Sequence, residues 1–303
     1  MKRLLKWIAI VALALLVLIL ALGAWAWRQT RVNYTRTEDV IYGRKFGTAL
    51  TLDVFRPEKQ NGFGIVYLVS GGWRSSHDGI VPLVCVPFLK RGYTVFAVVH
   101  GSQPKFSVPE IAEDVHRAVR FIRHNAARYG IDPNHLGVTG GSAGGHLSLV
   151  LATRGTNGPP EAKDPVDHAS SAVQCVAIFY PVTDLLNLGS STENPGDGGP
   201  PKSFKDCFGP DAKTMEGWRQ VGRELSPIYF VTSNLPPTLI LHGDADTLVP
   251  LDQSERFVSR AKEAGATIGL VIKPGKGHGW LTLGLDIPTL ADWFDAHLRA
   301  PKK

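Results

Sequence analysis

The spacing of hydrophobic positions changes period along the chain, and each change predicts an element. Residues 7–27 carry no charge and no proline and are dominated by Leu, Ala, Val and Ile; a helix of about 20 such residues spans the hydrocarbon core of a bilayer. Near-continuous apolar runs at 64–69 and 94–99 predict strands buried on both faces. Shorter β-rich runs at 40–42, 51–55, 136–139, 173–179, 238–241 and 267–272 predict further strands. Residues 109–129 show helical spacing instead, with Ile111, Val115, Val119 and Ile122 on one stripe, acidic residues in the first turn and Gly130 as a stop. Helices are also predicted near 81–91, 143–153, 249–264 and 288–298. Strands alternating with helices of 10–20 residues imply an α/β protein with a mostly parallel sheet covered on both faces.

Two stretches break the rhythm. Residues 154–171 are polar and loop-like. Residues 183–226 are rich in Gly, Pro, Asp and Asn, with one helix predicted near 214–221. The second stretch lacks a hydrophobic run long enough for a core of its own, so it reads as an insertion over a site. The predicted organisation is therefore an N-terminal segment and tether, 1–36, and one α/β domain, 37–303. No internal repeat is present.

Charge sharpens the first of these parts. The chain of 303 residues has a formal net charge of +6, but six of its 33 basic residues (Lys2, Arg3, Lys6, Arg28, Arg31 and Arg36) fall in the first 36 positions, where there is no Asp or Glu. The remainder balances, 27 basic against 27 acidic residues. A basic surplus confined to the flanks of an apolar segment gives no reason to expect nucleic acid as a partner. Lys2, Arg3 and Lys6 precede the segment, and Trp7, Trp25 and Trp27 sit where interfacial aromatics belong. Its apolar length favours an uncleaved membrane anchor over a signal peptide, whose apolar region usually runs about 7–15 residues. Ala24-Trp25-Ala26 loosely resembles a cleavage site and keeps the signal reading open. Either reading exports the rest of the chain, anchored on the far side of the membrane or secreted. Three cysteines, Cys85, Cys175 and Cys207, are too few for a disulfide framework. A Cys175–Cys207 bridge is chemically allowed in an oxidising compartment.

Gly140-Gly141-Ser142-Ala143-Gly144 matches G-x-S-x-G, in which a strand turns sharply into a helix and presents a serine at the strand's end. With 32 glycines the match alone is weak; the predicted strand 136–139 before it and the apolar helix after it give it weight. A serine hydroxyl needs a base, and the base an orienting acid. His278 lies in Gly-Lys-Gly-His-Gly-Trp after the predicted strand 267–272. Asp244 and Asp246 follow the predicted strand 238–241. The order serine, aspartate, histidine is the chain order of the α/β-hydrolase triad. No His, Cys or Asp cluster has metal spacing, and no glycine loop carries the Lys of a P-loop, so neither metal nor cofactor is expected.

These segments, with Leu52-Asp53-Val54-Phe55-Arg56-Pro57, the stretch 114–146 and residues 236–250, resemble the carboxylesterase branch of the α/β-hydrolase superfamily. That branch groups hormone-sensitive-lipase-like enzymes with bacterial feruloyl and acetylxylan esterases. The resemblance implies the α/β-hydrolase fold and hydrolysis of a small-molecule ester, with short acyl groups, through an acyl-enzyme on Ser142. Its His-Gly-x-x-Asp-x-x-Val-Pro pattern selects Asp246 over Asp244 as partner of His278. The branch usually carries His-Gly-Gly-Gly after its third strand; here the stretch is Val69-Ser70-Gly71-Gly72-Trp73. Backbone amides suffice for an oxyanion hole, so Ala143 and Gly72 are the expected donors, with Gly71 or Trp73 as the register decides. His146 is expected to pack or hydrogen-bond beneath the site, His242 to hold the acid loop, and Asp184 to lie on a loop nearby; for His100, at a strand end near the site, substrate contact is the lesser reading beside a structural one. Two rival readings remain: a prolyl-oligopeptidase-like peptidase, and a hydrolase-fold binding protein that has lost activity. The natural ester and the oligomeric state are not encoded in any local pattern.

Overall fold

The computed structural model describes residues 2–299 and falls into two compact units, divided between Asn33 and Tyr34. Residues 300–303 and the Trp27 side chain lie outside what it describes. The first unit is a single helix, α1 (Lys2–Thr30), whose stretch Arg3–Trp25 is long and apolar enough to cross a membrane.

The second unit opens with a hairpin, β1 (Tyr34–Lys45) and β2 (Thr48–Pro57), closed by Phe46 and Gly47 at φ 47° and 75°. Positive φ at both central residues makes the tight turn whose twist matches that of paired strands. β1 is four times as long as the run 40–42 predicted for it, because it is an edge strand exposed along most of its length and has no buried face to impose alternation. It also takes in Arg36, assigned above to the N-terminal segment, which instead reaches the fully buried Asp53 of β2 with Nε at 2.8 Å and Nη2 at 2.6 Å.

Then follow β3 (Gly64–Leu68), α2 (Pro82–Lys90), β4 (Thr94–Val99), α3 (Val108–His124) and α4 (Ala126–Tyr129). The one helix predicted over 109–129 is thus two, interrupted at Asn125, while Gly130 stops the second at φ 67°. β5 (Leu136–Thr139), α5 (Ala143–Arg154) and β6 (Cys175–Phe179) come next. The insertion is built of short 3₁₀ turns and α6 (Met215–Glu224). β7 (Thr238–Gly243), α7 (Asp252–Glu263), β8 (Ile268–Lys273) and α8 (Ile287–Leu298) complete the unit.

The eight strands lie in the order β1-β2-β4-β3-β5-β6-β7-β8. β1, β2 and β4 pair antiparallel, and every pair from β4–β3 to β7–β8 is parallel. The central strands are buried at nearly every position, which is why they read as continuous apolar runs. α2 packs with α8 (Phe88 and Phe294 rings 5.8 Å apart), and α3 with α5, to cover the sheet. Strands β5, β6 and β7 therefore deliver their carboxyl ends to one edge of the sheet, where α/β proteins place their sites. Cys85, Cys175 and Cys207 are all buried and unpaired.

Burial has a consequence for acid stability. His100, His116 and His146 are 3%, 8% and 0% exposed, and desolvation pushes each imidazole down to about 4. Between about pH 6.5 and 4 the unfolded chain therefore binds more protons than the folded one, so stability falls as the pH drops through that window. At pH 5 the loss is expected to be about 2 kcal/mol per histidine. Urea unfolding at pH 7 and pH 5 checks this; equal midpoints would refute it.

Candidate active site

Ser142 sits at the junction of β5 and α5 with φ 54° and ψ −120°, a strained conformation for a residue with a side chain. Its neighbours explain how the chain tolerates it. A Cβ on Gly140 would lie 2.6 Å from the Gly144 carbonyl carbon, and one on Gly144 would lie 2.7 Å from the Leu68 carbonyl oxygen. Glycine is sterically required at both ends of the turn. The elbow is pinned to β6 by Ser142 N–H donating to Phe179 O (3.1 Å) and Phe179 N–H to Gly140 O (3.0 Å).

Ser142 Oγ lies 2.9 Å from His278 Nε2, and His278 Nδ1 lies 2.8 Å from Asp246 Oδ2. Because a carboxylate can only accept, the proton sits on Nδ1, which leaves Nε2 to accept from the serine hydroxyl. Asp246 is held in turn. Its Oδ1 accepts from the Leu248 and Val249 amides at 3.0 and 2.9 Å, and His242 Nε2 lies 3.4 Å from Oδ2. Burial alone would raise the Asp246 carboxyl; hydrogen bonds from His242, His278 and the Val249 amide outweigh it and hold the group well below the usual carboxylate range. It stays ionised.

The structure brings Ser142, Asp246 and His278 together and leaves Asp244 out. Asp244 is exposed and accepts from Gly275 N–H at 2.6 Å, stitching the acid loop to the histidine loop. Ala245 N–H, donating to Lys276 O at 3.0 Å, adds a second stitch. His242 holds the acid loop, accepting from Ser254 Oγ (2.7 Å) and donating to Val249 O (2.7 Å). Asp184 braces the insertion, accepting from Arg256 Nη1 and the Leu186 and Asn187 amides. His100 is buried away from the cleft; its Nδ1 is spent on Gly101 O, and its Nε2 meets no partner among the described residues.

The turn after β3 settles which amides are free. Gly71 N–H donates to Arg74 O and Arg74 N–H to Gly71 O, both at 3.0 Å, with Gly72 and Trp73 between them at φ 53° and 57°. This is a type I′ turn, and it consumes the Gly71 amide. Gly71 is therefore withdrawn as a donor. The amides of Gly72, Trp73 and Ala143 have no acceptor among the described residues, and all three residues line the cleft. A left-handed tryptophan costs roughly 1–2 kcal/mol, so the second amide is obtained against a local preference.

The cleft holds about 460 Å³ and runs from this turn past Ser142 and His278. Phe88, Phe179, Val182, Leu290 and, from the insertion, Leu185, Leu188 and Phe204 give it apolar walls. Glu193 also lines it, but its carboxylate is occupied by the amide and hydroxyl of Ser203 at 2.7 and 2.9 Å. One contributor escaped the sequence reading. Tyr180, at φ 31° just beyond β6, sets its ring 4.6 Å from that of His278. Its position at the end of a central strand was the available signal.

This sheet order, with Ser142 on the elbow after β5, Asp246 after β7 and His278 after β8, defines an α/β-hydrolase. The chain belongs to the BD-FAE family, whose sequence profile matches residues 52–260. It is 30% identical over 252 residues to Esterase LipQ of Mycobacterium tuberculosis (strain ATCC 25618 / H37Rv), an alignment covering 81% of this chain and 57% of LipQ. The chain thus spans little more than half the length of that relative. Among solved structures it superposes on a truncated carbohydrate esterase from gut microbiota with TM-score 0.71 at 24% identity, covering 90% of this chain and 98% of the other. An acetyl ester-xyloside bifunctional hydrolase from Caldicellulosiruptor lactoaceticus gives TM-score 0.68 at 26% identity, covering 86% and 93%.

Proposed function

We propose that the protein is a serine esterase that hydrolyses small carboxylic esters through an acyl-enzyme on Ser142. The observation that carries this reading is the Ser142–His278–Asp246 chain of hydrogen bonds at 2.9 and 2.8 Å, set beside unpaired backbone amides in an apolar cleft. Ser142 Oγ attacks the ester carbonyl carbon while His278 Nε2 takes its proton. Negative charge develops on the carbonyl oxygen, where the amides of Ala143 and of Gly72 or Trp73 stabilise it. Collapse of the tetrahedral intermediate expels the alcohol, which receives the proton from His278. Water, activated by the same imidazole, then releases the acid and restores Ser142. Every step uses groups of the chain itself.

Short acyl groups such as acetyl fit the carboxylesterase relatives, one of which is named for an acetyl ester. The rival reading, a hydrolase fold kept only for binding, would not need the strained elbow or the ionised Asp246. We further propose that the N-terminal segment, 1–33, anchors or exports the catalytic domain that begins with β1; α1 has the length and apolarity for either role. Purified protein is expected to turn over p-nitrophenyl acetate and to be labelled stoichiometrically by a fluorophosphonate. An unlabelled, inactive wild type would remove the esterase reading.

A further inference from the structure

One imidazole outside the proton-transfer chain joins three parts of the site. His146 lies on α5, four residues after Ser142, with its own N–H donating to Ser142 O at 2.8 Å. Its Nε2 lies 2.7 Å from the carbonyl of Leu225, the residue capping α6 at the end of the insertion. A carbonyl only accepts, so Nε2 carries the proton and Nδ1 is left as an acceptor. Trp73 Nε1–H donates to that Nδ1 at 3.1 Å. The indole is 3% exposed and meets Phe204 and Phe208 edge-on at 5.2 and 5.5 Å. His146 is fully buried, which keeps the ring neutral, the only form in which Nδ1 can accept.

Trp73 needs such a hold. It occupies the second central position of the type I′ turn at φ 57°, where residues with a side chain are uncommon and persist only when their surroundings over-determine them. The peptide groups it orients carry the unpaired Gly72 and Trp73 amides. The turn has no histidine of its own; the histidine that anchors it comes from α5.

We propose that His146 is a positioning residue for ester hydrolysis, fixing through the Trp73 indole the amides that meet the developing oxyanion. This rests on reading Ser142 as the nucleophile. Donation from Nε2 to the Leu225 carbonyl selects the tautomer of His146, and His146 selects the indole orientation, so Leu225 of the insertion is linked to the oxyanion turn. Amides that bind only the oxyanion act on the transition state, so a turn that drifts lowers kcat and leaves KM in place.

Substitutions at the two residues separate this from a packing role. Trp73→Phe keeps the ring and removes the donor. In His146→Gln the amide reaches the Nε2 position and abandons the indole, whereas in His146→Asn it occupies the Nδ1 position and can still accept. Rates on p-nitrophenyl acetate are expressed per fluorophosphonate-titrated site, so misfolded molecules do not count. Trp73→Phe and His146→Gln are each expected to lower kcat about tenfold or more with KM within twofold, removal of one hole donor costing 10²–10³ in a known case. His146→Asn is expected to recover part of the loss. The double variant should be no worse than the poorer single, because both delete one hydrogen bond. A trifluoromethyl ketone, whose serine adduct bears an oxyanion, should bind more weakly by the factor that kcat/KM falls. Unchanged kcat per titrated site, a loss confined to KM, or independent multiplication in the double variant would each overturn the proposal. Failure of the nucleophile assignment shows itself differently, as a wild type with no titratable serine.

Discussion

Ser142→Ala is expected to lower kcat on p-nitrophenyl acetate by about 10⁴–10⁶-fold and to abolish fluorophosphonate labelling, with KM changed little. The size follows from what the side chain does in this geometry. Its Oγ is the atom that His278 Nε2 faces at 2.9 Å, and it sits at the cleft floor beside the amides of Ala143 and Gly72. Removing it leaves the oxyanion amides and the binding cleft, so a residual rate above water is expected. His278→Ala should fall to a similar level, and the double variant no further, since the two residues perform one proton transfer between them. The fold should tolerate the change, because alanine at 142 relieves none of the contacts that demand glycine at 140 and 144. Active-site titration and steady-state kinetics on the two single variants and the double decide the matter. Labelling of Ser142→Ala at the wild-type level would place the nucleophile elsewhere.

What could be read in the sequence was what local pattern encodes. The buried central strands appear as apolar runs because both of their faces are covered, and the elbow appears as spaced glycines because backbone atoms fill the space of a Cβ at 140 and 144. The serine and histidine follow from motif and order. β1 was largely invisible, since an edge strand with mostly exposed side chains obeys no burial period. The hairpin turn was missed because it puts Phe46, not a glycine or asparagine, at positive φ. Choice of the oxyanion donor was also beyond local reading. It depends on whether Gly71 N–H is spent on Arg74 O, a question of turn register. The Trp73–His146 bond spans 73 residues, and no spacing rule connects its ends. His100 follows the structural of its two readings: a strand end beside the site can still point its side chain into the core.

Asp246→Asn is expected to lower kcat by about 10⁴-fold, while Asp244→Asn leaves it within about threefold. The two aspartates are two residues apart and hold different things. Oδ1 of Asp246 accepts from the Leu248 and Val249 amides, so an asparagine there keeps its carbonyl oxygen on that side and turns its NH₂ toward His278 Nδ1. An amide nitrogen donates where the carboxylate accepted. It therefore forces the imidazole proton onto Nε2, which then faces Ser142 Oγ as a donor and cannot take the hydroxyl proton. The side chain's shape survives and the tautomer is wrong. The variant also loses the negative charge that stabilises the imidazolium formed in each proton transfer. Asp244 is exposed, and among the described residues its carboxylate accepts only from the Gly275 amide, from which an asparagine oxygen still accepts. Its replacement leaves the Asp246–His278–Ser142 chain intact. Parallel kcat and KM measurements at neutral pH on the two variants discriminate sharply. If Asp244→Asn lost as much as Asp246→Asn, or if Asp246→Asn kept more than a tenth of the wild-type kcat, a carboxylate other than Asp246 would be orienting His278.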